Sequence, residues 1–170
     1  MKYLVVSDNH GDREILVELA ARYRDTVDRL LHCGDSELSP NDPLWTDFEV
    51  VRGNCDYDPA FPEKRIIKTE ADTLFMTHGH LFNVRFGLTS LALEAEACGA
   101  TIALFGHTHE IGCEMHQQVL FLNPGSISQP RGAIQIQSYA LIESRADAYE
   151  VQYYDRTHQL IPQLHFLFKK

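Results

Sequence analysis

Five short polar stretches, each following an apolar run, hold side chains that together can bind metal ions. They are Asp8-Asn9-His10 after Tyr3-Leu4-Val5-Val6, Gly34-Asp35 after Leu30-Leu31, Gly53-Asn54 after Phe48-Glu49-Val50-Val51, His78-Gly79-His80 after residues 73–77, and Gly106-His107-Thr108-His109 after residues 101–105. One Asp-x-His is commonplace, whereas five such stretches in order form a far more specific signal. Asp, Asn and His supply hard oxygen and borderline nitrogen donors, a mixture suited to Mn, Fe, Zn, Ni or Co rather than calcium. Seven candidate ligands, Asp8, His10, Asp35, Asn54, His78, His107 and His109, are too many for one open site. Two divalent ions about 3.5–4 Å apart can share them if one carboxylate faces both. Asp35, central in the order, is the expected bridge.

The elements that must position these groups follow from the apolar pattern. An unbroken apolar run suits a strand covered on both faces, and ligands in open α/β sheets gather beyond the carboxyl ends of such strands. Ile15, Leu16, Leu19, Ala20 and Tyr23 recur with helical spacing, while Glu14, Glu18, Arg22 and Arg24 take the opposite face. The first unit therefore reads strand, helix, strand. Lys64 to Thr69 and Thr73 to Thr77 read as a hairpin around Glu70-Ala71-Asp72. Leu88, Leu91, Ala92, Ala95 and Cys98 predict a second helix, stopped by Gly99. Cys113 to Met115, Val119 to Leu122, Ser138 to Ser144, Tyr149 to Tyr153 and Leu164 to Phe168 read as strands with no helix between them. An α/β first half thus joins a mainly antiparallel second half.

Composition narrows the function classes. At 170 residues the chain suits one domain spanning 1–170, large enough for a core without disulfides. Cys33, Cys55, Cys98 and Cys113 form no C-x-x-C pair, which fits reduced thiols. Nothing approaches the roughly 18 apolar residues of a membrane span, and the stretch before Ser7 is too short for a signal peptide, so the cytoplasm is expected. A formal charge of −9 disfavours long nucleic acid and anionic membranes as partners. Small anions remain compatible where bound cations reverse the local sign.

The order Asp-x-His, Gly-Asp, Gly-Asn, His and Gly-His-x-His resembles the calcineurin-like metallophosphoesterase family. The later Asn123-Pro124-Gly125-Ser126 resembles a feature of its small phosphodiesterase branch. The resemblance implies a four-layer α/β/β/α sandwich of two mixed β-sheets flanked by helices. It places Asp8, His10, Asp35 and His109 on one metal, and Asp35, Asn54, His78 and His107 on the second. It also implies phosphoester hydrolysis at two divalent transition-metal ions, manganese foremost, and homo-oligomers such as related small phosphodiesterases form. In that chemistry a water between two cations has its pKa lowered from 15.7 to about 7 and attacks phosphorus in line as hydroxide.

One position departs from the family. Many members carry a His after Gly-Asn that is thought to protonate the leaving oxygen, where this chain has Cys55. A positioned general acid contributes about 10²–10⁴-fold, so its absence matters most for poor leaving groups. The small phosphodiesterase branch tends to carry Cys here, which favours a small phosphodiester substrate. His80 is the substitute acid, and Arg131, in Gln129-Pro130-Arg131-Gly132, is the candidate to bind a phosphate oxygen, with Arg85 behind it. Two rival expectations stand: a phosphomonoesterase of the same fold, and a non-catalytic scaffold like the retromer subunit that resembles it. His32, His116, His158 and His165 lie outside the motifs and receive no function. Asn123 to Ser126 reads chiefly as a turn, and Cys55 as a small packing residue.

Overall fold

The computed structural model describes residues 1–170. Its strands are β1 (Lys2–Val6), β2 (Arg29–His32), β3 (Phe48–Val50), β4 (Lys64–Lys68), β5 (Thr73–Thr77), β6 (Ile102–Leu104), β7 (Ile111–His116), β8 (Val119–Pro124), β9 (Ser138–Ser144), β10 (Ala148–Asp155) and β11 (Leu160–Lys169). Two α-helices, α1 (Arg13–Tyr23) and α2 (Thr89–Ala97), complete the regular structure together with three short 3₁₀ turns. No helix is long and apolar enough to cross a membrane.

The strands form a six-stranded sheet ordered β11-β10-β9-β1-β2-β3 and a five-stranded sheet ordered β4-β5-β6-β8-β7. Both are mixed: β1, β2 and β3 run parallel, as do β5, β6 and β8, while the remaining pairs are antiparallel. The alternation within β1 explains the layering. Tyr3 and Val5 point into the core between the sheets with Leu31, Leu74, Leu104 and Leu122, whereas Leu4 and Val6 pack outward against Ile15, Leu16, Leu19 and Ala20 of α1. On the far side Phe75, Ala103 and Phe121 cover Leu91 and Ala95 of α2. The result is the four-layer α/β/β/α sandwich.

Local signals end the helices where expected. Asp12 caps α1 by accepting the Ile15 N–H at 3.3 Å. Gly99, at φ +67°, closes α2, with the Ala100 N–H returning to Ala95 O at 2.9 Å. The second half is mainly antiparallel, as expected, with one parallel pair. β8 runs parallel to β6 because a hairpin, β7 and β8, reverses the chain before β8 enters the sheet. The C-terminal strand is also longer than its apolar core suggests and begins at Leu160. Pro162 is tolerated there because β11 is an edge strand.

Candidate metal centre

Parallel pairing brings the motif-bearing strand ends to one rim. Asp8 follows β1 and Asp35 follows β2 in one sheet, while His78 follows β5 and His107 follows β6 in the other. Backbone bonds lace these loops together: Asp8 N–H to Gly34 O (3.1 Å), His10 N–H to Asp35 O (3.1 Å) and Gly106 N–H to His78 O (3.0 Å). The backbone approaches are close enough to require two of the motif glycines. A Cβ on Gly53 would lie 2.0 Å from Asp35 Oδ1, and one on Gly106 would lie 2.1 Å from Ser7 Oγ and 2.6 Å from Asp8 Oδ2. Asp8, His10, Asp35, His107 and His109 all adopt left-handed φ values of 44–68°. Such geometry is uncommon outside glycine and persists where surrounding structure imposes it, commonly at functional sites.

Asp8, His10, Asp35 and His109 present ligand atoms all within 4.8 Å of one another. Three imidazoles of the rim are fixed from behind by acceptor-only groups. His10 Nδ1 donates to Glu37 Oε1 (2.6 Å), His78 Nδ1 to Cys33 O (2.7 Å) and His109 Nδ1 to Gln129 O (2.7 Å). With the hydrogen on Nδ1, a neutral ring turns a bare Nε2 lone pair toward the centre. His10 Nε2 and His109 Nε2 then face each other at 3.2 Å, and Asp8 Oδ1 lies 3.1 Å from the latter. Asp8 Oδ1 is buried and accepts no hydrogen bond. Three converging acceptors with no donor among them are what a divalent cation fits.

The second predicted set is looser. His78 Nε2 lies 3.1 Å from Asn54 Oδ1 and 3.3 Å from Asp35 Oδ2. His107 is nearby, its ring 5.1 Å from that of His78, but its Nε2 accepts the Arg85 Nε–H at 3.1 Å. Burial, then the proximity of His78 and Arg85, hold the His107 imidazole down to about 4. Burial works against the charge on Asp35, yet the hydrogen bond and charge of His78, when that ring is protonated in the metal-free protein, outweigh it and keep this carboxyl well below the usual range. Burial would likewise depress His78, but the Asp35 and Asp8 carboxylates raise it.

The remaining candidates sit around this rim. His80 lies beside His78, the rings tilted by 56° with 5.4 Å between centroids, and its Nδ1 is buried and without a partner. Arg131 is exposed, and its N–H donates to His109 O at 3.0 Å. Cys55 donates its N–H to Asp35 Oδ1 (2.7 Å) and accepts the Asn54 amide on sulfur (3.2 Å). Burial and then Asp35 push its thiol up to about 11, so it is no thiolate near neutral pH.

Several supporting residues escaped the sequence reading. Asp56 accepts from the N–H groups of Asp35 (2.8 Å), Glu37 (2.7 Å) and Gly53 (2.8 Å) and from Ser36 Oγ (3.0 Å), locking the β2 and β3 loops together. Its only sequence signal is its place three residues after Gly53. The Asn123–Ser126 turn is a latch as well as a turn. Ser126 Oγ donates to Asp8 O (2.7 Å), and Asn123 Nδ2 donates to Gly106 O and Thr108 Oγ1 (2.9 Å each).

The sequence model of the calcineurin-like phosphoesterase superfamily domain matches residues 1–147. The chain belongs to that family. A relative, the probable metallophosphoesterase YsnB of Bacillus subtilis (strain 168), is 38% identical over 156 residues, which span 92% of each chain. A crystal structure of a conserved Streptococcus pneumoniae TIGR4 protein, described as a predicted phosphoesterase, superposes with a TM-score of 0.97 at 40% identity, covering 99% of this chain and 97% of that one. Zinc-complexed Vps29 of Entamoeba histolytica shares the fold at a TM-score of 0.72 and 22% identity, covering 100% of this chain and 98% of that one. The family is one of divalent-metal-dependent phosphoester hydrolases, and the cluster of Asp8, His10, Asp35 and His109 is this chain's candidate metal-binding site.

Proposed function

We propose that the protein, as one catalytic domain, hydrolyses small phosphodiesters at two divalent transition-metal ions, with manganese the working pair. The observation that carries this reading is the donor-free convergence of Asp8 Oδ1, His10 Nε2 and His109 Nε2, each imidazole fixed from behind. Asp8, His10, Asp35 and His109 would hold one ion; Asp35, Asn54, His78 and His107 would hold the other. Bound there, the ions supply an activated water and neutralise charge on the phosphoryl oxygens.

The chain's own residues do the rest. Glu37, Cys33 O and Gln129 O fix three ring tautomers. Cys55 holds the Asn54 amide so that Oδ1 faces His78. His80, whose ring lies beside those of His78 and His107, is assigned the leaving-group proton. Arg131 supplies an anion-binding guanidinium at the rim. A thiol at position 55 in place of imidazole favours activated diesters over alkyl monoesters. The reading places the protein in the cytoplasm and admits a homo-oligomer.

The test is to chelate the protein, restore manganese, and compare initial rates on bis(4-nitrophenyl) phosphate and 4-nitrophenyl phosphate. Manganese-dependent cleavage of the diester at least about tenfold faster is expected. Faster monoester cleavage makes the protein a phosphatase, and no turnover with Mn, Fe, Zn, Ni or Co makes it a scaffold.

A further inference from the structure

A pocket of about 270 Å³ adjoins the metal centre, lined by Val84, Arg85, Thr108, Glu110 and Arg131. Its walls are continuous with the ligands: Arg85 contacts His107, Thr108 lies between His107 and His109, and the Arg131 N–H binds His109 O. Most arginines of this acidic chain are neutralised, with Arg13, Arg24, Arg29, Arg52, Arg145 and Arg156 each paired to a carboxylate. Arg85 and Arg131 have no carboxylate within 4.0 Å, although Glu110 lines the same pocket. The Thr108 hydroxyl accepts from Asn123 Nδ2 (2.9 Å) and the Glu110 N–H (3.2 Å), so its own hydrogen is free to donate. The pocket offers two unpaired guanidiniums and a hydroxyl hydrogen against one carboxylate.

We propose that this pocket seats a second oxyanion of the substrate, a carboxylate or phosphate carried on a group esterifying the scissile phosphorus. The proposal rests on the phosphodiesterase reading and narrows its substrate class. None of the seven candidate ligands lines the pocket, so the anion it takes is distinct from the phosphoryl group under attack. Planar guanidiniums bind such oxyanions through paired, charge-assisted hydrogen bonds. They also counter the repulsion that a chain of net charge −9 exerts on a doubly charged ester. Glu110, whose side chain lies along Gly132, tempers the site to a net charge of about +1, which sets an upper limit on the anion it holds tightly.

The test uses three esters with one leaving group: 4-nitrophenyl ethyl phosphate and its 2-carboxyethyl and 2-phosphonoethyl counterparts. With the manganese-loaded full chain, kcat/KM for at least one charged ester should exceed that for the ethyl ester about tenfold. The larger ratio identifies carboxylate or phosphate as the preferred anion. R85Q and R131Q should each reduce the ratio to about threefold or less, and E110Q should raise it. The ratio is the readout because loss of the Arg85–His107 contact alone would slow all three esters alike. A ratio near one in the wild type, or one unchanged in both arginine variants, overturns the proposal while leaving the phosphodiesterase standing.

If no ester is cleaved, the phosphodiesterase reading has failed and binding decides the pocket. Backbone amide NMR of the chelated protein, titrated with glutarate and separately with inorganic phosphate, should show saturable shifts at Thr108 and Glu110 that R131Q removes. No saturable shift with either anion up to about 50 mM overturns the pocket assignment.

Discussion

Two buried aspartates at opposite ends of β1 show what separates a structural carboxylate from a functional one. Asp72, in the turn before β5, accepts from Tyr3 OH (2.8 Å) and Tyr149 OH (2.9 Å), with Lys170 Nζ at 3.3 Å. Burial works against its charge, yet these partners hold its carboxyl below the usual range. Asp8, beyond the other end of the strand, is equally buried, but its Oδ1 accepts no hydrogen bond and faces imidazole nitrogens and the Asp35 loop. Folding has satisfied both oxygens of the first carboxylate and only one of the second, whose Oδ2 accepts the His107 N–H at 3.3 Å. Removing the first should therefore cost stability, and removing the second should cost chemistry.

The largest expected effect is on turnover. Asp8→Asn should lower manganese-dependent hydrolysis about a thousandfold or more. The chelated variant should melt at or above the wild-type temperature, because a buried carboxylate oxygen that accepts no hydrogen bond has been replaced. A D8N protein that unfolds instead would erase the contrast. Asp72→Ala should do the reverse. Two buried tyrosine hydroxyls and Lys170 lose their acceptor, so urea unfolding should show a loss of about 2–4 kcal/mol, with turnover per folded molecule within about threefold of wild type.

Ser126→Ala sharpens the comparison, since it touches Asp8 through the backbone only. It frees Asp8 O and the N–H groups of Ser128 and Gln129, which Ser126 Oγ otherwise accepts at 3.2 and 2.7 Å. Manganese affinity, measured by calorimetry, should fall about tenfold.

The smallest effect concerns His32, buried below the rim. Its Nε2–H donates to Asn9 Oδ1 (2.8 Å), and its Nδ1 accepts the Gly34 N–H (3.1 Å), so the neutral ring is fully used. Burial, against the pull of Asp56 and Asp8, lowers it to about 4. The unfolded chain binds this proton below about pH 6.5 and the folded chain only near 4. Stability of the chelated protein should thus be undiminished above pH 6.5 and decline by about 3 kcal/mol as pH falls toward 4. His32→Gln should flatten that part of the profile in urea titrations across pH.

The candidate ligands were legible because each occupies the first polar positions after a strand, where α/β folds place function, and their types betray metal chemistry. The apolar pattern gave an α/β first half and a mainly antiparallel second half, and the four-layer arrangement came from the family resemblance. The supporting partners were not. Glu37 and Asp56 are ordinary charged loop residues whose roles arise from contacts 27 and 19 residues away in sequence. His32 carries no signal distinguishing a satisfied core imidazole from a ligand. The insertion of β9 beside β1, pairing Leu4 with Leu141, was equally hidden, since periodicity reports a strand's faces and not its neighbours.

That late pairing has a consequence during synthesis. β1 is made first, but Asp8 is latched only once Ser126 has emerged, and the second flank of β1 stays open until β9 has followed. A nascent chain stalled between those points would display a hydrophobic strand edge beside ligand-rich loops, open to pairing with another chain. Completion of the metal centre and protection of that edge thus wait on the same late segment.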